Sequence, residues 1–272
     1  MNAPEPVTPA AVDRRFAGVR QLYGGDGLRR LQAARVTVIG IGGVGSWAAE
    51  ALARSAVGGI TLVDLDHISE SNTNRQIHAL GDAYGSAKVH AMAERITQIN
   101  PDCRVHAIDA FVDSANVATL VDGAQWVIDC IDQVDAKAAL VAHCRAEGIP
   151  VVVCGAGGGR LDPTRICSTD LARAHGDPLL SKLRYRLRRR HGFPRETARR
   201  VRRFGVLAVY SDEPVAASLG DAEDPVAGSP LACSGYGSSV ALTGALGFAA
   251  AALVLRSIAW PAKSQRLTDA GD

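Results

Sequence analysis

With 272 residues, 47% of them hydrophobic and 21% charged, the chain is long enough to bury a substantial core as one large α/β unit or one and a half. A net charge of +2 by itself points to no polyanionic partner, and six cysteines without one C-x-x-C pair argue against a paired-cysteine metal site. Those cysteines, at 103, 130, 144, 154, 167 and 233, lie mostly in apolar contexts, so they read as small buried hydrophobes and a cytoplasmic protein is expected.

Residues 1–14 read as a flexible, proline-bearing tail with no charged-then-apolar signal segment. The first strand is expected at 36–39 and ends at the loop Gly40-Ile41-Gly42-Gly43-Val44-Gly45. Residues 46–54 then have the alanine and leucine content of a helix. Strand, glycine turn and helix make a phosphate-binding unit, because small residues admit the phosphates to the backbone and the helix N-terminus is partly positive. A second strand at 60–63 ends at Asp64, with Asp66 just beyond, where an acid hydrogen-bonds ribose hydroxyls. These features alone favour a nicotinamide-dependent oxidoreductase.

The polar segment after the second strand argues against hydride transfer. Residues 69–78 carry Asn72, Asn74, Arg75 and Gln76. A nicotinamide needs an apolar slot beyond the pyrophosphate, whereas a nucleoside triphosphate has further anionic groups there and needs cations. Arg75 offers a planar fork for phosphate oxygens, and Lys88 a point charge for a leaving pyrophosphate. Further strands are expected at 105–108, 126–129 and 151–153. Asp132, just past the fourth strand, faces the ligand crevice and suits Mg²⁺. The second glycine cluster, at 155–159, opens no clear helix and reads as close backbone packing near the substrate. The fold class expected is α/β: a doubly wound, Rossmann-like, mostly parallel sheet, with a C-terminal substrate-side extension that adds a strand near 206–210 and a final helix.

Charge is segregated. Residues 182–203 hold eleven Lys or Arg against one acid, Glu196, so this segment is +10 and the rest of the chain −8. Such segregation is an electrostatic footprint for nucleic acid, although a solvated pair of cationic helices is the plainer alternative. Helices are expected at 180–190 and 196–203, broken at Gly192-Phe193-Pro194. The candidate RNA contacts are Lys182, Arg184, Arg186, Arg188, Arg189, Arg190, Arg199, Arg200, Arg202 and Arg203, which would position an RNA without reading it. Residues 220–230 suit a mobile crossover loop, and Cys233 comes next in a glycine- and serine-rich turn. Residues 226–255 are uncharged, but the dense apolar part spans sixteen residues, short of the roughly 20 that cross a bilayer. A helix buried against the sheet or at a dimer interface is expected, with peripheral membrane association the minor alternative.

Residues 40–66, the run Asn72-Thr73-Asn74-Arg75-Gln76-Ile77-His78-Ala79-Leu80 and the Gly85-x-Ala87-Lys88 motif resemble the ThiF/MoeB-type, ubiquitin-activating-enzyme-like superfamily, whose members adenylate a carboxylate with ATP. Residues 72–80, 93–105, 162–164 and 233–237 further resemble its tRNA threonylcarbamoyladenosine dehydratase branch, and the likeness covers nearly the whole chain from about Arg15. The resemblance implies that Gly40, Gly42, Gly43 and Gly45 form the phosphate loop, Asp64 (beside Asp66) binds ribose, and Asn72, Arg75 and Gln76 line the triphosphate. Lys88 would stabilise the α-phosphate transition state and Asp132 would hold Mg²⁺. An N-terminal arginine, Arg15 or else Arg20, would come from the partner of a homodimer. ATP and Mg²⁺ are thus expected, and no structural zinc, since the C-x-x-C pairs of zinc-bearing relatives are missing. The implied reaction is ATP-dependent dehydration of threonylcarbamoyladenosine in tRNA to its cyclic form through an acyl adenylate, with Cys233 a secondary catalytic candidate. Residues 15–160 would form the ATP-binding half, and 161–272 the substrate and tRNA half. DNA is not an expected partner, while the resemblance admits a sulfur-transfer protein. The rival activity is adenylation of the C-terminal carboxylate of a ubiquitin-like sulfur carrier.

Overall fold

The computed structural model describes residues 14–196, 201–215 and 236–261. The tail at 1–13, Arg199 and Arg200, the loop at 220–230 and Cys233 lie outside the described residues.

Seven strands form one sheet: β1 (Arg35–Ile39), β2 (Gly59–Val63), β3 (Arg104–Ile108), β4 (Trp126–Asp129), β5 (Val151–Cys154), β6 (Ile166–Asp170) and β7 (Leu207–Ser211). Their order is β3-β2-β1-β4-β5-β7-β6, parallel except for the edge strand β6, which runs antiparallel to β7. The central strands read as near-continuous valine and isoleucine because both faces are covered. Val36, Val38, Ile60, Leu62, Ile128 and Val152 point into one core, and Ile39, Val63, Val127, Val151 and Val153 into the other.

The first core is closed by α1 (Ala17–Ala33), α2 (Gly45–Arg54), α3 (Lys88–Ile99) and α7 (Val240–Ala259), through residues such as Leu31, Leu52, Met92 and Leu246. The second is closed by α4 (Val117–Leu120), α5 (Val134–Ala146) and α6 (Pro178–Arg190), through Leu120, Val141, Leu180 and Leu183. Helix α7 is long and apolar enough to cross a membrane, yet half of its most apolar window is buried within the protein. It lies across α2, where Phe248 meets Trp47 edge-on at 5.7 Å.

The expected strands and final helix are present, and β6 is an addition. Its sequence, Ile-Cys-Ser-Thr-Asp, is too polar to read as a strand, as suits an edge with one partner. The second cationic helix is a correction: residues 191–196 and 201–206 are not helical. Gly192, at φ 69, ends the helical course, and the Asp170 carboxylate accepts from the amides of Phe204 (2.9 Å) and Gly205 (2.8 Å), drawing the chain out toward β7.

Candidate active site

Strands β1 and β4 are neighbours whose onward connections run to opposite sides of the sheet, which opens a crevice at their carboxyl ends. A cavity of ≈ 300 Å³ occupies it. Its floor is the glycine loop. Gly40 takes φ 85, and a Cβ on Gly45 would lie 1.8 Å from the Gly40 carbonyl oxygen, so the turn closes only without side chains there. No side chain caps α2, and although the Ser46 amide donates to the Gly42 carbonyl (3.1 Å), the helix presents the positive end of its dipole to an anion. Gly45→Ala is expected to weaken ATP binding about tenfold or more, the worth of one charge-assisted hydrogen bond, as read by calorimetric titration.

Asp64 lines the cavity and is also tied to the backbone. Its two carboxylate oxygens accept from the amides of Ile41 (2.6 Å) and Asp66 (2.8 Å), so it holds the glycine loop against the end of β2. Burial pushes the Asp64 carboxyl up, opposed by Lys88 and these two amides. Asp66 is the more accessible acid and takes Lys88 Nζ at 2.7 Å. Lys88 is 5% exposed, so its charge is poised at the cavity with little water around it.

Arg75 drapes its methylenes over Gly43 and donates through Nη1 to the Ser71 carbonyl (2.7 Å) and Asn74 Oδ1 (2.9 Å). Its own carbonyl accepts from the Trp47 indole at 2.9 Å, which ties the polar segment to α2. Asn72 lines the cavity while its Oδ1 accepts from the Ser69 amide (3.0 Å), so it shapes the turn as well. Gln76 is buried with Oε1 lacking a donor, an orphan acceptor beside the glycine loop. Phe111, Ala110 and Val112 form an apolar wall past β3, with Phe111 57% exposed. Sequence reading missed this wall, although an aromatic just beyond a parallel strand was its signal.

His78, two residues on from Gln76, is buried and neither ring nitrogen has a partner. Burial, then Lys88 and Arg95, hold its pKa down at about 4. The folded value lies below the ordinary 6.5, so the unfolded chain binds the proton first and stability falls as pH drops through this window. Urea unfolding is expected to show about 2 kcal/mol less stability at pH 5 than at pH 7 from this group, a loss absent in His78→Met.

Asp132 lies exposed at the cavity rim. Among the cavity's acids Asp64 is held by backbone amides and Asp66 by Lys88, which leaves Asp132 for a cation. No cluster of three acidic, His or Cys ligands exists among the described residues, and Mg²⁺, which binds through one or two carboxylates plus phosphates, needs none. The residues therefore fit Mg²⁺. The loop bearing Asp132 is set from below by Lys137, fully buried, whose Nζ meets Asp129 Oδ1 (3.0 Å) and the Ile131 carbonyl (3.0 Å).

The far wall is Gly155, Ala156, Gly157, Leu179 and Thr243. Leu179 belongs to the first turn of α6, so the cationic helix starts at the cavity itself. Its arginines are not equivalent. Arg188 lies 5.4 Å over the Phe204 ring and donates to the Pro194 carbonyl, while Arg186 and Arg190 face Asp135 and Arg189 donates to Tyr185 Oη (2.7 Å). Arg184 borders a second cavity with Arg173, His175, Arg202 and Arg203, and its Nη1 is buried without an acceptor. Burial, then Arg188, lowers the Arg184 pKa. Lys182 is exposed. Arg15 lines a separate cleft with Arg54 and Arg95 and does not reach this chain's own nucleotide cavity.

Comparison with known proteins identifies the family. The ThiF family model matches residues 13–267. A tRNA threonylcarbamoyladenosine dehydratase of Escherichia coli is 46% identical, covering 90% of this chain and 93% of that protein. The corresponding protein of Haemophilus influenzae is 39% identical over 89% and 92%. The E. coli enzyme solved in complex with ATP superposes with a TM-score of 0.82 at 44% identity, over 93% of this chain and 96% of that one. A match that runs through both the nucleotide crevice and the cationic helix is more than a shared nucleotide module, and the chain belongs to the ThiF family.

Proposed function

We propose that this protein is an ATP-dependent enzyme that dehydrates threonylcarbamoyladenosine in tRNA to its cyclic form. The observation that carries the reading is the start of α6 at the nucleotide cavity through Leu179, which sets a surface for an RNA polyanion beside a site for ATP. Residues 15–160 form the ATP half of this scheme and residues 161–272 the RNA half.

ATP lies with its base against Phe111, its ribose toward Asp64 and Asp66, and its phosphates over Gly40, Gly42, Gly43, Gly45 and the N-terminus of α2. Asn72 and Gln76 border the triphosphate. Mg²⁺ at Asp132 neutralises charge on the phosphates when bound. The threonylcarbamoyl carboxylate attacks the α-phosphorus, forming an acyl–phosphate bond as the bond to pyrophosphate breaks. Arg75 and Lys88 stabilise the charge that builds on the phosphate oxygens, in a site where Lys88 is already desolvated. A nucleophile within the same side chain then closes on the acyl carbon and expels AMP, leaving a cyclic product one water lighter. High effective concentration within one side chain drives that closure, and the protein's part is to exclude water. Arg15 completes the site from the partner of a homodimer. Lys182, Arg184, Arg202 and Arg203, exposed or bordering the second cavity, are the primary phosphate contacts of the RNA.

Mass spectrometry of gently digested nucleosides tests this, using tRNA that carries threonylcarbamoyladenosine, with Mg²⁺, with and without ATP. ATP-dependent loss of one water is expected. An unchanged nucleoside with protein that binds ATP moves the substrate to a carboxylate on a protein.

A further inference from the structure

Arg160 and Asp177 are 1% and 2% exposed, and their salt bridge spans 3.2 Å from Nη1 to Oδ2. Asp177 holds two segments at once. Its Oδ2 accepts from the Ala156 amide (3.0 Å), and its Oδ1 accepts from the Leu180 amide (2.8 Å), capping the first turn of α6. Arg160 fixes the orientation of that carboxylate. It donates to the carbonyls of Ala156 (2.5 Å), Gly176 (2.9 Å) and Glu213 (2.9 Å), using the full fork of its guanidinium.

Ala156 and Leu179 both line the nucleotide cavity. One carboxylate therefore sets the distance between the cavity's far wall and the helix that bears the RNA-binding charge. A buried ion pair contributes little to stability beyond what well-packed apolar residues give, so what it orients is the better account of its presence.

We infer that Asp177, oriented by Arg160, is a positioning residue for the acyl transfer. It keeps the wall at residues 155–157, where the RNA-borne carboxylate meets the nucleotide, in register with α6, where the RNA docks. The inference rests on the dehydratase reading. Asp177 acts through the wall and not on the reacting atoms.

Asp177→Asn keeps the size of the side chain and an oxygen to cap α6, but its NH₂ faces the Ala156 amide and the Arg160 guanidinium, donor against donor. The test measures kcat for ATP-dependent dehydration of the modified tRNA, with Kd for ATP and Kd for that tRNA measured separately. The expected result is a fall in kcat of about 10- to 100-fold, the effect of a small misplacement of reacting groups. Both Kd values stay within about twofold, since the phosphate loop and the arginines are untouched. Unchanged kcat overturns the inference. So does a kcat loss matched by losses in both affinities, the signature of a purely structural role. If Asp177→Asn does not fold, Arg160→Lys carries the same test, because it retains the charge but lacks the fork that fixes the carboxylate. Wild-type protein that leaves the tRNA unchanged overturns the dehydratase reading and this inference together. Active wild type with unaffected variants overturns the inference alone.

Discussion

Lys88→Ala is expected to lower kcat for ATP-dependent dehydration by about 10²- to 10³-fold, the loss expected on removing one preorganised charge from a water-poor site. The ammonium is held by Asp66 at 2.7 Å and is 5% exposed, so no reorganisation is needed when charge builds on the α-phosphate. ATP affinity should fall far less than kcat, because the loop amides and Arg75 remain. Removing Lys88 also leaves Asp66 without its cation beside an incoming polyanion, so Asp66→Asn in the Lys88→Ala background should recover part of the ATP affinity and none of the turnover. Single-turnover rates with saturating ATP separate the two effects. A Lys88→Ala enzyme with wild-type kcat would remove Lys88 from the mechanism.

The second large effect is on folding. Lys137→Met leaves Asp129, fully buried, without its cation, and breaking one side of such a pair costs about 3–5 kcal/mol. Burial already pushes the Asp129 carboxyl up against the pull of Lys137 and the Ile131 amide, and the variant raises it further. A raised folded pKa means that the folded state holds the proton more tightly than the unfolded one. The associated stability is present below the unfolded value of 3.8 and lost as pH rises through the folded value. The deficit of Lys137→Met relative to wild type should therefore shrink as pH is lowered from 7 toward 4. Urea titrations at three pH values check it, and a deficit that does not change with pH sinks the idea. Asp129→Asn combined with Lys137→Met should recover most of the loss, since no buried charge remains.

The parallel strands were legible because burial on both faces makes them apolar runs that stop abruptly at chemistry-bearing residues: Ile39 before Gly40, Val63 before Asp64, Asp129 shortly before Asp132. The polar segment at 69–78 was legible for the opposite reason, since nothing in a hydrophobic core needs so many amides and cations. The site's supports were harder to read. Lys137 shares a helical stripe with Leu140, Val141 and Cys144, all buried, and a lysine on that stripe was the available signal of a buried charge. Arg160 and Asp177 carry no such periodic mark, because they lie in a loop and at a cap and meet only through the tertiary fold. Asp64 was marked as a site residue by its position after β2, but its amide partners were not legible, because they depend on how the glycine loop folds back. The cationic run fixed the charge of its surface but not its shape. Arg188 stacks on Phe204, a contact that sequence spacing does not reveal.

The antiparallel pairing of β6 with β7 has an evolutionary consequence. Asp170 lies opposite Leu207 in that ladder, and the Asp170 carboxylate also holds the amides of Phe204 and Gly205, so the connection between them leaves and re-enters the sheet at one point. A stretch whose ends are pinned together can lengthen, shorten or change its charge at small entropic cost, because the closure is already made by the strands. The hairpin thus fixes both ends of this stretch while the leucines of α6 hold its inner face in the second core, so its outer, charged face is the part free to vary. A relative that replaced this face with a neutral or acidic one would retain the glycine loop, Lys88 and Asp132 intact and present its adenylating crevice to a different class of carboxylate.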